Sequence, residues 1–390
     1  MSRSNVALVS PHVLSWARKV VRMGEQESAK KVGVTAERLA AWEQGTSQPT
    51  VRQARLLAHA YRVPFATFYL ADPPAGITRL PKDLRRHAGE FADGPSPAIQ
   101  LDVRDAWERR EIALELATAA GISVAPFGYS ADIGEDPEVC GARLRFVLDA
   151  RIDDQMSWRD LRIGFNRWRQ LAEEAGVLVL QTSDIALSEL RAYSLAADVL
   201  PVVVVNRKDP YPARSFSLLH ELAHLGLHSD GICDLRTDDA RPPEEQQLEV
   251  FCNAVAAAAL IPRDSLLEQP EVALSSNEKW DDDDIAALAK RYSCSREALL
   301  RRLLTFGRTS YDFYRLKREQ YQREYAERPP TKGFVTPAVD AVSILGRPLV
   351  RLILDGLANE RITTSDAADY LGVRLKHLPA ISAAVGEGDK

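Results

Sequence analysis

Residues 215–228 read SFSLLHELAHLGLH, and inside them stands HExxH: His220, Glu221, Leu222, Ala223 and His224. On a helix, side chains four residues apart lie one turn above each other on the same face. That spacing brings two imidazoles to one Zn2+ ion, at about 2.0–2.1 Å each. Glu221, one position along, points to the side of the pair. From there its carboxylate reaches a water on the metal without taking a coordination place. Zinc lowers the pKa of such a water toward about 7, and the glutamate removes the proton. The flanks are almost wholly apolar: Leu218, Leu219, Leu222, Ala223, Leu225 and Leu227. A helix from about Ala213 to His228 is therefore expected to be buried. Two histidines and a glutamate in a buried helix cost free energy unless paired or ligated. The pattern thus reads as a metal site with Glu221 as general base.

A catalytic zinc usually takes three protein ligands. The next helix, EEQQLEVFCNAVAAAALIP, offers Glu249, the last acid before an apolar run, and Glu245 one turn earlier. Either can turn toward the metal, and Glu244 is a weaker candidate. His228 is the rival, but ligands at i, i+4 and i+8 on one straight helix do not converge on a tetrahedral centre. The metzincin pattern HExxHxxGxxH needs a histidine where this chain has Asp230, and Gly226 falls one residue short of the glycine slot. His228 is expected to cap or pack at the helix end.

Around this segment the chain has 390 residues, 45% of them apolar and 27% charged, as in an ordinary globular protein of two or three domains. The net charge of -5 argues against a nucleic-acid coat or a membrane-surface binder. The charge is uneven, however. Residues 1–70 hold ten lysines and arginines against four acids, roughly +6, leaving roughly -11 on the remainder. A basic head on an acidic body suggests that the head alone meets an anionic partner. Cys140, Cys233, Cys252 and Cys294 are far apart and form no CxxC pair. A reducing compartment is expected. The start, MSRSNVALVSPHV, has no long apolar region and no cleavage site of small residues. The longest apolar run, Ala254 to Pro262, is too short to span a bilayer. A cytoplasmic protein with no membrane partner is expected.

Residues 10–72 read as short helices, punctuated by Gly33 and Gly45, with Pro49 and Pro64 near helix starts. Further helices are expected from about Ile99 to Ala120 and from Trp158 to Ala175. Strand-like runs follow at 177–182, 190–197 and 200–206. An edge strand such as Pro201 to Asn206 could take an extended peptide by strand addition and lay it across the metal; plain core structure is the equal alternative. A helix from about Pro243 to Leu260 should stop at Pro262. Helical segments continue to about Arg328, ERPPTKG reads as a linker, and the tail at 334–385 is short and helical. The DDDD run at 281–284 reads as a solvated loop or helix start.

Residues 206–262 resemble the ImmA/IrrE family of zinc peptidases. That family pairs an R-x-F-[TS]-x-x-HE-[LI]-[GA]-H helix with a later E-x-x-x-N-x-x-A-x-x-L-L-x-P helix. The first is matched by Arg214, Phe216, Ser217 and HELAH, the second by Glu249, Asn253, Ala256, Leu260 and Pro262. The resemblance implies that Glu249 is the third ligand, beside His220 and His224, and that residues 165–265 form a gluzincin-like core. Val255 and Ala259 stand where the family usually has Phe and Leu, as packing changes. Cys252 reads as a buried core residue.

The basic head also resembles a known family, the XRE-type helix-turn-helix, through Ala29, Gly33, Val34, Thr35, Leu39, Trp42, Glu43, Gly45 and Pro49. In that fold a third helix enters the major groove. The resemblance implies that Thr35 caps this helix and that Ala36, Glu37, Arg38 and Ala41 face base edges or phosphates, with Arg38 able to read a guanine. Gly24-Glu25 replaces the usual Ser/Thr-Gln, an acid that repels phosphate, and Ser28 replaces an apolar core residue. Double-stranded DNA is the expected partner, with a small helical docking domain as the alternative. ITTSDAADYLGVRLKHL in the tail resembles a second helix-turn-helix core, with Thr364 as cap and Gly372 at the turn; a helical bundle without DNA contact is the equal alternative.

The expected fold is multidomain and mainly α with a small mixed sheet. It comprises a helix-turn-helix bundle (1–73), a linker (74–98), a gluzincin-like α+β peptidase domain (99–328) and a C-terminal helical domain (334–390). The expected function is a regulatory zinc endopeptidase that cuts a specific protein, a transcriptional repressor or an antitoxin-like partner. The resemblance ties it to stress response, mobile elements or toxin–antitoxin pairs, and to homodimers. The competing readings are a DNA-binding regulator with a sensory or structural zinc, and a toxin of broad substrate. A structural site tends to be closed by four protein ligands; two His and one Glu leave a place for water, which favours catalysis.

Overall fold

The computed structural model describes residues 6–74, 96–158, 160–228, 232–233, 243–274, 278–327 and 335–386. Most of the expected linker at 74–98, and nearly all of ERPPTKG, lie outside them. The chain divides into two compact units, Met1–Glu108 and Arg109–Lys390.

The first unit is a helical bundle: α1 (Pro11–Val20), α2 (Glu25–Val32), α3 (Ala36–Glu43) and α4 (Val51–Ala60), then a 3-10 turn at Phe65–Tyr69. Local chemistry sets the boundaries. Pro11 starts α1, where a missing N–H costs nothing. Gly33 ends α2 in the left-handed conformation at φ 70°. The Thr35 hydroxyl accepts from Arg38 N at the start of α3, and Thr50 and Gln53 form a reciprocal capping box on α4. Leu14, Leu39, Trp42, Leu57, Tyr61 and Phe68 fill the core. A long helix, α5 (Pro97–Ala119), begins in this unit, where Arg104 donates to the Tyr61 carbonyl at 3.0 Å.

The second unit is built around a four-stranded mixed sheet: β1 (Leu178–Thr182), β2 (Ala192–Leu195), β3 (Val202–Asn206) and β4 (Ile232–Cys233), in the order β1-β3-β2-β4. β1 runs parallel to β3, and β2 runs antiparallel to both β3 and β4. β1, β2 and β3 are buried along their whole length, so they read as continuous apolar runs rather than alternating ones. Of the two equal readings of Pro201 to Asn206, edge strand and plain core structure, the first is corrected here and the second holds. β3 is paired on both sides, and its ladder has no room for an added peptide.

On this sheet lies α9 (Tyr211–Gly226), preceded by α6 (Pro137–Val147), α7 (Ile152–Ser157) and α8 (Leu161–Glu174). α10 (Pro243–Leu260) crosses α9 and packs on α6. The α6–α10 approach is close because Gly141 has no side chain. A Cβ there would stand 2.6 Å from Ala258 Cβ and 2.8 Å from the Ala259 backbone nitrogen. Ala259, small where the resembled family carries Leu, is fully buried in this contact region. The C-terminal carbonyls of α10 are taken by side chains from three elements. Arg145 Nη1 reaches the Ala259 carbonyl at 2.8 Å, and Gln155 Nε2 the Leu260 carbonyl at 2.9 Å. Arg302 reaches the Ile261 carbonyl at 3.0 and 2.7 Å while gripping Glu138 with two further bonds. Cationic donors at a helix C-terminus satisfy orphan carbonyls and oppose the helix dipole.

Short helices α11 (Arg263–Leu267), α12 (Pro270–Ala273), α13 (Asp282–Arg291), α14 (Arg296–Thr305) and α15 (Tyr311–Ala326) follow. The acidic run 281–284 is the N-terminus of α13, where carboxylates suit the dipole. The tail forms α16 (Pro337–Leu345), α17 (Arg347–Ala358), α18 (Thr364–Tyr370) and α19 (Leu378–Gly386) within this same unit. α16 lies along β1, and the Ser343 carbonyl accepts from Arg169 Nη1 at 2.6 Å and Gln181 Nε2 at 2.7 Å. The cap of α18 is Thr363, which forms a capping box with Asp366, not Thr364. Residues 335–386 carry five basic and five acidic residues, in contrast to the basic head.

Replacing Gly141 by Val forces α6 and α10 apart. The expected loss is about 2–3 kcal/mol, read as a lower urea midpoint at unchanged slope. Ala142→Val, at an exposed position on the same helix, should stay within about 0.5 kcal/mol of the parent.

Candidate functional site

α9 starts at Tyr211–Pro212 and is buried from Ser217 to Gly226. Its first turn is pinned by Arg214, which donates to the carbonyls of Asp209 and Arg207 and to Gln181 Oε1. The guanidinium also lies 4.5 Å from the Tyr211 ring centre. Its last turn is held by Tyr129, whose ring fills the space over Gly226: a Cβ on that glycine would meet Tyr129 Cε1 at 2.2 Å. Between these anchors Phe216 stacks on the His220 ring at 6.4 Å.

His220 and His224 are 0% and 1% exposed. Their Nε2 atoms are 3.0 Å apart. Glu249, from α10, places one carboxylate oxygen 3.4 Å from His220 Nε2 and the other 3.3 Å from His224 Nε2. Ligand atoms of all three residues lie within 4.8 Å of one another. Four ligands about 2.05 Å from a tetrahedral zinc are about 3.3 Å apart, so the spacings fit one small cation among these three donors. Two imidazole nitrogens and a carboxylate also make a donor set that zinc accepts. His228, the rival ligand, is exposed, has a left-handed backbone at φ 52°, and lies outside the cluster. The side chains of Glu244 and Glu245 lie outside the described residues.

Glu221 is fully buried. Ser194, on β2, donates its hydroxyl to Glu221 Oε2 at 2.8 Å, while Oε1 is buried without a hydrogen-bond partner among the described residues. Burial pushes the Glu221 carboxyl up from its ordinary value, against the opposing pull of His224, His220 and Ser194. Glu249 goes the other way. Burial opposes its ionisation, but hydrogen bonds from His220 and His224 hold it well below the usual carboxylate range. Cys252, one turn beyond Glu249, is fully buried with its thiol against His224. Ser194 escaped the sequence reading, although a hydroxyl inside an otherwise apolar buried strand was a signal, since such groups need partners.

In the first unit, Thr35, Glu37 and Arg38 are exposed on the first turn of α3, and Ala36 and Ala41 are half-buried. The Ala41 carbonyl accepts from Thr46 N, Thr46 Oγ1 and Ser47 N, tying the loop after α3 back to the helix. Glu25, the acid at the start of α2, lies 3.3 Å from Arg18 Nη2. The same guanidinium grips Glu43 at 2.6 and 2.8 Å. The acid is therefore held by a cation shared with the core, which weakens its repulsion of an approaching phosphate. Ser28 is fully buried beside the Tyr61 hydroxyl.

No helix of the described residues is long and apolar enough to cross a membrane. Cys140, Cys252 and Cys294 are buried free thiols. Residues 172–304 match the family model for the IrrE N-terminal-like domain, a peptidase family, and residues 26–68 match a helix-turn-helix model. No curated protein matches the chain. The two matches together are the pairing of domains that the resemblance in the sequence implies.

Proposed function

We propose that this chain is a regulatory zinc endopeptidase of the cytoplasm. Its substrate is one particular protein, a transcriptional repressor or an antitoxin-like partner. The observation that carries the reading is the convergence of His220, His224 and Glu249 within 4.8 Å beside a buried Glu221 whose Oε1 has no partner among the described residues. His220, His224 and Glu249 would hold the metal. A bound zinc would supply Lewis acidity, polarising the scissile carbonyl and easing deprotonation of the attacking water. Glu221 takes that proton on Oε1 and returns it to the leaving amine. Burial supports the first half of this cycle, because it raises the proton affinity of the carboxylate, and an apolar helix face keeps bulk water away. Among the described residues the donor cluster has three members, which favours an open catalytic position over a closed structural one.

Wild type, Glu221→Gln and Glu249→Ala separate the roles. Zinc quantification should give one ion for wild type and for Glu221→Gln, and most of it lost from Glu249→Ala. Incubation with candidate repressors should give a cut with wild type, slowed at least about 10²-fold by Glu221→Gln. Equal cutting by wild type and Glu221→Gln would sink the catalytic assignment.

The helix-turn-helix domain is proposed to bring the peptidase to duplex DNA, with Thr35, Ala36, Glu37, Arg38 and Ala41 along the contact edge of α3. Selection from a random duplex pool should enrich one sequence class. Arg38→Ala should weaken its binding by about 1–3 kcal/mol in anisotropy at fixed salt. No enrichment at any salt would make the domain a protein-docking module instead.

A further inference from the structure

Among the described residues, the Glu221 carboxylate is held by one hydrogen bond from outside its own helix. Ser194 lies on β2, opposite Val203 of β3, and is fully buried. Its hydroxyl donates to Glu221 Oε2 at 2.8 Å across the interface between sheet and helix. The last torsion of a glutamate is broad and roughly two-fold, so packing alone sets it weakly. A hydrogen bond to one oxygen fixes that torsion and thereby decides where the other oxygen sits. Oε1, the other oxygen, is the one buried without a partner among the described residues.

We infer that Ser194 is the positioning residue for Glu221, holding Oε2 so that Oε1 is presented to the attacking water. The inference rests on the peptidase reading above. The donor type suits the task. An arginine or lysine in this place would stabilise the anion strongly and weaken it as a base. A neutral hydroxyl orients the carboxylate with less loss of basicity. The strand that carries Ser194 is zipped to β3 over all four of its residues, Ala192 to Leu195. The hydroxyl therefore sits on a rigid support, as a positioning group must.

The test is a double-mutant cycle on the full chain, in two arms. The first arm needs no substrate. Ser194→Ala strands a buried carboxylate oxygen and should lower the thermal midpoint by about 2–4 °C. In a Glu221→Met background the same change should cost clearly less, because the carboxylate oxygen that the hydroxyl serves is gone. The second arm follows hydrolysis of a mixture of internally quenched peptides. Ser194→Ala should lower kcat roughly 10- to 100-fold with KM and zinc content unchanged. Ser194→Thr should restore most of the rate. Ser194→Ala should add nothing to Glu221→Gln. Equal midpoint losses in both backgrounds would overturn the pairing whatever the activity. An intact pairing with a wild-type rate in Ser194→Ala would overturn the positioning role. No cutting by wild type of either the peptides or the candidate repressors, with the pairing intact, would remove the peptidase reading and reduce the contact to a structural bond.

Discussion

The second unit answers one demand above others, that four polar side chains from two helices meet in an apolar interior. His220, Glu221 and His224 are all but sealed from solvent, on a helix whose neighbours are leucine and alanine. Ionisable groups so placed are costly unless they satisfy one another. Glu249 must then arrive from α10 with a placement error smaller than a bond length. The fold meets this by fixing α10 at both contacts that matter. Its flank closes on α6 at Gly141, and its terminal carbonyls are clamped by Arg145, Gln155 and Arg302. These groups lie two to three turns from Glu249, yet they set the axis along which it is carried.

The parts of this arrangement differ in how openly the sequence carries them. The i, i+4 spacing of two histidines is local, so it is legible without any fold. The three strands at 178–206 are legible from short, largely apolar runs, of which only the last is β-branched throughout most of its length, but their order is not. Which strand lies inside depends on crossovers that leave no mark in the strand itself, and so Val202–Asn206 reads equally as edge or core while it is an inner strand. α6 escaped notice between 121 and 157, although Asp136 and Pro137 carry a helix-start signature that a closer reading would have used. β4 is two residues long and owes its conformation to β2 rather than to its own composition. Glu249 and Glu245 are a turn apart and nearly equivalent by spacing. Only the resemblance separated them in advance, and the geometry around His220 and His224 involves Glu249.

The first unit shows how a departure from a pattern can be absorbed. Glu25 stands where a neutral side chain is usual, and taken alone it would push a phosphate away. Arg18 changes this, because the same guanidinium that anchors α1 to Glu43 at the end of α3 also faces Glu25. A like-charge penalty becomes one edge of a three-membered network, two of whose members are nearly buried. The roughly +6 charge of residues 1–70 then remains available to a polyanion.

The tail belongs to the same logic of support. β1 is an outer strand of the sheet, and an outer strand left bare is a site for unwanted pairing. α16 lies along it, and the Ser343 carbonyl draws in Arg169 from α8 and Gln181 from β1 itself. Arg169 is shared further, with Glu173 at 2.9 Å and with the Val179 carbonyl. Gln181 in turn accepts from Arg214, in the first turn of the helix that carries HExxH. A continuous chain of hydrogen bonds thus runs from Ser343 in the tail through Gln181 to Arg214, six residues before His220. Its place along the strand edge makes α16 a brace for the helix that carries HExxH.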